Sequence, residues 1–213
     1  DAQESRGLGD VYKRQVLDNQ VMDSQLAALH RKGARGIRFN MNCGYKGDWE
    51  EIRRLVERVA EYGWCVCLWM DPDLLVEKRT FFENLPVQLV LDHRGHLPAG
   101  TGTSHPAFRM ICDWLDQGRA WVKLSGWYFD SGEENYGDTL AIGREYVKAN
   151  PNRLLWGTDW PHPNRYSKRK PCPDDSALLD ALFDMAEDEE TVYKTLVENP
   201  AKLFGFSNSG QEA

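Results

Sequence analysis

Short apolar runs of β type alternate along this chain with longer runs of helical periodicity. The β-type runs lie at residues 36–40, 65–70, 86–91, 121–126 and 154–156. The helical runs cover about 23–33, 48–62, 73–84, 108–115, 138–148, 177–186 and 188–198. Strands that alternate with helices of about 10–15 residues form repeated βα units, so the sequence predicts an α/β fold with a parallel sheet.

Four of the predicted strands end in a polar or aromatic side chain: Arg38, Trp69, His93 and Asp159. In a (β/α)8 TIM barrel the functional groups come from the carboxyl ends of several strands. The pattern therefore predicts a barrel that is present as about five βα units. A doubly wound sheet is the rival fold, but it would need a glycine-rich phosphate turn, and the sequence contains no G-x-G-x-x-G.

The last predicted strand stops at Gly157 and is followed by a carboxylate and an imidazole three residues apart, Asp159 and His162. Such an Asp can act as a general base or a metal ligand, and such a His as a proton carrier or an anion contact. Taken alone, the pair also fits a turn in which Asp159 caps the next segment and His162 lies at the surface. Both interpretations stay open on these residues.

Composition limits the possible partners and the compartment. The formal charge of −7 argues against nucleic acid as a partner, because no face rich in Lys and Arg offsets it. No apolar run approaches the ~18 residues that cross a bilayer, so no membrane association is expected. An odd number of cysteines without C-x-x-C spacing argues against a disulfide scaffold or structural zinc and favours a reducing cytoplasm. These cysteines are Cys43, Cys65, Cys67, Cys112 and Cys172, and the spacing of Cys65 and Cys67 predicts one shared strand face.

Residues 1–15 fit neither strand nor helix periodicity and are similar to translated adapter sequence. We therefore expect a non-native leader at 1–15 and a single α/β domain over 16–213.

Five motifs occur in order along the chain, each at a strand end or at the C-terminal closure. They are R-G-I-R-F-N at 35–40, L-D-H-R-G-H at 91–96, V-K-L-S-G at 122–126, L-W-G-T-D-W-P-H-P at 155–163 and N-P-A-K-L-F-G-F at 199–206. Together they resemble the amidohydrolase-related family of TIM-barrel hydrolases, particularly its 2-pyrone-4,6-dicarboxylate lactonase-like branch.

The resemblance implies hydrolysis of a small molecule at the carboxyl ends of the strands. Asp159 matches the family's general base on the attacking water, and His93 matches the His that polarises the carbonyl or binds a metal. His162 matches the His of the D-W-P-H motif in the substrate pocket. Arg38 matches an Arg that binds a substrate carboxylate, a role that suits the planar guanidinium fork. In a metal-dependent parent, His93 and Asp159 would hold a divalent ion of zinc or manganese type, and a metal-free reaction is equally compatible.

Two features depart from the family pattern. The family opens with an H-x-H pair on its first strand, and this sequence contains no H-x-H. We therefore expect an N-terminally truncated barrel that lacks about three of its eight strands. Lactonase relatives often place an Arg after the K-L-S-G strand, where this chain has Trp127-Tyr128-Phe129-Asp130. Tyr128 and Trp69 are expected to contact the substrate, and an aromatic lining suits a sugar or a less charged lactone.

The expected function is hydrolysis of a lactone or related cyclic ester of a small carboxylated or sugar-type metabolite. Asp159 would activate water and His93 would polarise the carbonyl. A metal-dependent decarboxylase of the same family is one alternative, although it requires the H-x-H pair. An inactive fragment is another, and its open sheet edges would favour homo-oligomers. Lys123 is expected to be structural, and His96 is expected at the surface or in a loop.

Overall fold

The computed structural model describes residues 17–41, 47–133, 135–163, 165 and 168–206, together with the backbone of 13–15. Within these ranges six strands form one parallel sheet, and each strand pairs with the next along the chain. The strands are β1 (Lys13–Gln15), β2 (Ala34–Met41), β3 (Cys65–Met70), β4 (Leu89–Leu91), β5 (Ala120–Leu124) and β6 (Leu154–Trp156). Sequential parallel strands with helical connections are the arrangement of a partial TIM barrel, as the sequence predicted.

Helices cover the crossovers between the strands and the C-terminal part of the chain. They are α1 (Asp23–Arg31), α2 (Trp49–Ala60), α3 (Pro72–Glu77), α4 (Arg79–Glu83), α5 (Pro106–Asp116), α6 (Gly137–Ala149), α7 (Asp175–Ala186), α8 (Glu189–Tyr193) and α9 (Asn199–Phe204). A π-helical segment, Lys194–Glu198, joins the last two. Aspartate side chains accept backbone N–H groups at the start of α2, α3, α7 and α8, which satisfies donors that the first turn leaves unpaired.

All five strands predicted from the sequence are present, and β1 is an addition. Residues 1–12 of the expected leader lie outside the described residues, whereas 13–15 form β1. The polar run Lys-Arg-Gln carries no apolar alternation, so β1 is defined only by its pairing with β2. The single helix expected at 73–84 is two helices, because the backbone of Lys78 leaves helical geometry at φ −95° and ψ 16°.

The sheet separates two apolar clusters. One face packs on the helices and contributes Ile37, Val66, Leu91, Val122 and Leu154 to the main core. The opposite face, which we call the inner face, carries a smaller cluster of Cys65, Cys67, Val90, Trp121, Leu155 and Phe204. Cys65 and Cys67 therefore share a strand face, as their spacing predicted.

The C-terminal helix covers part of the inner face. Phe204 of α9 packs into the inner cluster, next to Leu203 and Phe206. The buried Asn199 donates from Nδ2 to the carbonyl oxygens of Pro151 and Leu154, at 2.9 and 2.8 Å. These bonds tie α9 to the start of β6, the strand that leads to Asp159.

The four cysteines in the described ranges are free thiols, and Cys43 lies outside those ranges. Across the same ranges, no helix combines the length and the apolar character that a membrane crossing requires.

Candidate active site

Several residues at the strand ends hold a left-handed backbone. The four residues of His93–His96, directly after β4, have φ values of 53°, 63°, 70° and 57°. Asp159 and His162, which follow β6, have φ values of 69° and 57°. Left-handed conformations are uncommon for residues other than glycine and cluster at functional positions. Contacts with the rest of the protein therefore hold the backbone of the segments after β4 and β6 in this conformation.

His93 and Asp159 face each other across the carboxyl ends of β4 and β6. Nε2 of His93 lies 3.6 Å from Oδ1 of Asp159. The other ring nitrogen, Nδ1, lies 2.9 Å from the hydroxyl oxygen of Ser125, at the end of β5. The side chain of His93 is 5% exposed, and this burial lowers its pKa to about 3. The imidazole is therefore neutral at pH 7.

Tyr128 holds the second oxygen of the Asp159 carboxylate. Its hydroxyl group donates to Oδ2 of Asp159 at 2.7 Å. Burial raises the pKa of Asp159, while the hydrogen bond from Tyr128 and the charge of Arg38 oppose that rise. Burial and the same hydrogen bond raise the pKa of Tyr128 above its ordinary value, so the phenol keeps the proton that it donates.

A chain of polar contacts continues from Tyr128 toward the surface. Nδ1 of the buried His162 lies 3.1 Å from the Tyr128 hydroxyl oxygen. Nε2 of His162 lies 3.0 Å from Oδ1 of Asp175, the first residue of α7. Hydrogen bonds therefore connect Asp159, Tyr128 and His162, and Asp175 lies within ion-pair distance of His162.

A buried cluster of charged side chains, centred on Asp92, lies near His93 and Asp159. Asp92 is 1% exposed, and its two carboxylate oxygens face two cations. Oδ1 lies 2.6 Å from Nζ of Lys123, and Oδ2 lies 3.1 Å from Nε of Arg38. The side chain of Arg38 is 27% exposed, so its guanidinium also reaches open space.

These groups surround one cavity of about 360 Å³. Arg38, Asp92 and Lys123 line it together with His93, Ser125 and residues 156–160. Pockets of about 300–1,000 Å³ are typical of small-molecule sites. The cavity has room for a small ring compound next to both the imidazole and the carboxylate.

Aromatic rings pack around His93. The Phe129 ring centroid lies 4.6 Å from that of His93, and the Trp69 centroid lies 6.0 Å from it. The Arg38 guanidinium lies 5.7 Å from the Trp69 ring centroid. His96 contacts both Trp69 and Phe129, and burial lowers its pKa. His96 lies in the loop segment after β4, as expected, and its side chain is partly buried.

Arg94 is the neighbour of His93, but its side chain makes structural contacts. It is fully buried and donates to the Gly126 carbonyl oxygen and to the Asp130 carboxylate, both at 3.0 Å. Its guanidinium also lies 5.5 Å from the Trp127 ring centroid. Arg94 therefore joins the segments that follow β4 and β5.

The structure brings the predicted site residues into one connected group: Arg38, Trp69, His93, Tyr128, Asp159 and His162. The sequence did not identify Asp92, Ser125 or Asp175 as part of it. Asp92 and Ser125 stand at strand ends inside the L-D-H and K-L-S-G motifs, which is a usable signal. Asp175 carries no such signal, because an Asp in the first turn of a helix is common for helix stability alone.

A metal ion would need more donors than this group supplies. Among the described residues, no cluster of three or more His, Cys, Asp or Glu side chains can hold a metal ion. His93 and Asp159 converge as a pair, whereas catalytic zinc sites use three protein ligands. The described donor set therefore does not fit a zinc-type ion by itself.

The family model for amidohydrolases matches residues 14–206 of this chain. The chain belongs to the amidohydrolase family. This agrees with the five motifs and with the barrel-type order of the sheet.

Relatives of known name and structure cover most of the chain. It is 33% identical over 197 residues to the 2-pyrone-4,6-dicarboxylate hydrolase of Comamonas testosteroni, covering 86% of this chain and 63% of that protein. It is 32% identical over 185 residues to the 4-sulfomuconolactone hydrolase of Hydrogenophaga intermedia, and the match covers 85% of this chain and 61% of that protein. A ligand-free crystal structure from Agrobacterium tumefaciens matches with a TM-score of 0.79 at 27% identity, covering 90% and 69%. The chain thus spans less than two thirds of the length of the two named relatives.

Proposed function

We propose that the protein hydrolyses a lactone or related cyclic ester of a small carboxylated or sugar-type metabolite. The observation that carries the proposal is the pairing of a neutral imidazole with a carboxylate at one cavity, His93 Nε2 and Asp159 Oδ1 at 3.6 Å. Both named relatives are hydrolases of lactones that carry acidic groups, one sulfonated and one a dicarboxylate. Their names support the substrate class.

Asp159 is the proposed general base. It takes a proton from water as the water oxygen bonds to the carbonyl carbon of the lactone. The ring C–O bond then breaks, and the leaving oxygen receives the proton from Asp159. The products are one hydroxyl group and one carboxylic acid on the opened chain, and the acid releases its proton to solvent at neutral pH. The hydrogen bond from Tyr128 favours the ionised carboxylate that the first step requires.

His93 is proposed to polarise the lactone carbonyl. A neutral imidazole can donate one N–H to the carbonyl oxygen and stabilise the negative charge that develops there. The ring borders the cavity and is fixed by Ser125 and Phe129. A fixed donor needs no reorganisation when the charge develops.

The remaining predicted residues are proposed to bind substrate or to hold the base. Arg38 shares one carboxylate with Lys123, so its partly exposed guanidinium can pair with an acidic group on the lactone. The Trp69 ring packs against the Arg38 guanidinium and the His93 ring. Tyr128 donates to the base and His162 contacts the Tyr128 hydroxyl, so we assign both to the orientation of Asp159.

No step of the proposed mechanism is assigned to a metal ion; a divalent ion of zinc or manganese type, if bound, would polarise the lactone carbonyl next to His93 and Asp159. The decarboxylase alternative needs an H-x-H pair, which the sequence does not contain. We also propose a reducing cytoplasm as the compartment, on the number and spacing of the cysteines.

Proton release at constant pH from the purified 213-residue chain tests the proposal. Suitable substrates are 2-pyrone-4,6-dicarboxylate, 4-sulfomuconolactone and an uncharged six-membered lactone. We expect hydrolysis of an acidic lactone, and a decrease of roughly 10²–10⁴-fold in Asp159→Asn. Asp184→Asn, which changes an exposed carboxylate of α7, is the matched control and should keep full activity. A folded chain that hydrolyses none of these lactones, or an active Asp159→Asn variant, would contradict the proposal.

A further inference from the structure

Ser125 lies where it can decide which ring nitrogen of His93 carries the proton. Its hydroxyl oxygen is 2.9 Å from Nδ1 of His93. Ser125 is 1% exposed and directly follows β5, so both its backbone and its side chain are held in place. A serine hydroxyl can either donate or accept a hydrogen bond, and a neutral imidazole has one donor and one acceptor nitrogen. The surroundings of the other nitrogen decide between the two arrangements.

Nε2 of His93 faces an acceptor. Oδ1 of Asp159 lies 3.6 Å from Nε2, and an ionised carboxylate oxygen can only accept. The favourable arrangement places the single imidazole proton on Nε2, directed toward Asp159 and the cavity. Nδ1 then has a free electron pair, and the Ser125 hydroxyl must be the donor in the 2.9 Å contact. In this arrangement the Ser125 hydroxyl hydrogen is used in the bond to Nδ1. If Nδ1 carried the imidazole proton instead, the buried hydroxyl hydrogen would need another acceptor.

The packing of the ring prevents the two nitrogens from exchanging places. Gly126 follows Ser125 at φ +68°, and a Cβ there would lie 2.9 Å from Nδ1 and 3.0 Å from Cβ of His93. On another side, the Phe129 ring centroid lies 4.6 Å from that of His93. The ring is thus enclosed with Nδ1 toward β5 and Nε2 toward the cavity.

We propose that Ser125 is a positioning residue that donates its hydroxyl hydrogen to Nδ1 of His93 and keeps the imidazole proton on Nε2. The catalytic consequence rests on the proposed function, in which the Nε2–H group donates to the lactone carbonyl. The same tautomer has no electron pair on Nε2 for a metal ion. The assignment of the tautomer itself depends only on the contacts of His93.

Long-range ¹H–¹⁵N spectra of the full chain with ¹⁵N-labelled histidine report the protonation of each ring nitrogen. The sequence has five histidines, and loss of one set of signals in His93→Gln identifies the residue. Two histidines are internal references, because their Nδ1 atoms accept from groups that can only donate. Nδ1 of His30 accepts from the indole of Trp64 at 3.0 Å, and Nδ1 of His105 accepts from the backbone of Ala107 at 3.1 Å.

In the wild-type chain we expect the Nε2–H tautomer of His93, with an Nδ1 signal like those of His30 and His105. Ser125→Ala should shift that Nδ1 signal and introduce the second tautomer. Thr139→Val is the matched control, since it removes a buried hydroxyl that bonds to Trp127 and Tyr136 instead, and it should leave the His93 signals unchanged.

The proposal is overturned if wild-type His93 carries its proton on Nδ1, or if its signals are the same in Ser125→Ala as in the wild type. With an acidic lactone, Ser125→Ala should lower kcat by roughly tenfold or more and leave KM nearly unchanged. Absence of hydrolysis in the wild type would count against the proposed function and would leave the tautomer result intact.

Discussion

Removing the hydroxyl group of Tyr128 should leave a smaller fraction of Asp159 ionised on the acid side of the pH profile. The hydroxyl donates to Oδ2 of Asp159 at 2.7 Å, and a hydrogen bond to a charged group contributes about 1.5–3 kcal/mol. This bond lowers a pKa that burial raises, so Tyr128→Phe should raise the pKa of Asp159 further. The base works only when ionised, so activity should be lost at a higher pH as the pH falls. Since 1.36 kcal/mol corresponds to a factor of ten, kcat/KM on the acid side should fall roughly ten- to a hundredfold.

The assay is the pH profile of kcat/KM for an acidic lactone, measured for the wild type and for Tyr128→Phe. Tyr146→Phe is the matched control, because it removes a buried phenol hydroxyl that bonds to the Arg94 carbonyl oxygen at 3.2 Å. In Tyr146→Phe the fall of kcat/KM on the acid side should occur at the same pH as in the wild type, even if this variant is less stable. An acid limb that stays in place in Tyr128→Phe, or moves to lower pH, would refute the role given to this hydrogen bond.

Three further substitutions test separate parts of the site. Lys123→Met removes one cation from the buried Asp92 and leaves Arg38 next to it, and should reduce the free energy of unfolding by about 3–5 kcal/mol in urea titrations. A loss below about 1 kcal/mol would mean that the ion pair is dispensable. Gly126→Ala would place a Cβ 2.9 Å from Nδ1 of His93 and should lower kcat more than it changes KM, whereas an unchanged kcat would contradict the packing argument. Arg38→Leu should raise KM for acidic lactones and not for an uncharged lactone, and equal effects on both would exclude a role in charge recognition.

The sequence predicted most of the sheet because buried parallel strands leave strong apolar signals. The runs at 65–70 and 154–156 coincide with β3 and β6, since both strands are apolar and bounded by turn residues. The boundaries of β4 were less accurate, because Pro86 and Val87 continue the apolar run before pairing begins at Leu89. β1 could not be found from periodicity, since its three polar residues become a strand only by pairing with β2.

The position of the site was predictable, but its internal contacts were not. Strand ends and motifs located Asp159 and His93, because parallel strands bring their carboxyl ends together. No sequence pattern shows that the hydroxyl of Tyr128 donates to Asp159 at 2.7 Å. The contact of His162 with Asp175 also depends on how α7 packs, which spacing along the chain does not specify. Ser125 was visible as part of a motif, and its function follows only from the orientation of the His93 ring.

In the proposed mechanism Asp159 activates water and does not itself attack the carbonyl. A single turnover of an acidic lactone in H₂¹⁸O, followed by mass spectrometry of the product and of the peptide that contains Asp159, distinguishes the two reactions. We expect one ¹⁸O atom in the new carboxylate of the product and none in Asp159. An unlabelled product with ¹⁸O in the side chain of Asp159 would contradict it, since that result requires a covalent acyl-enzyme.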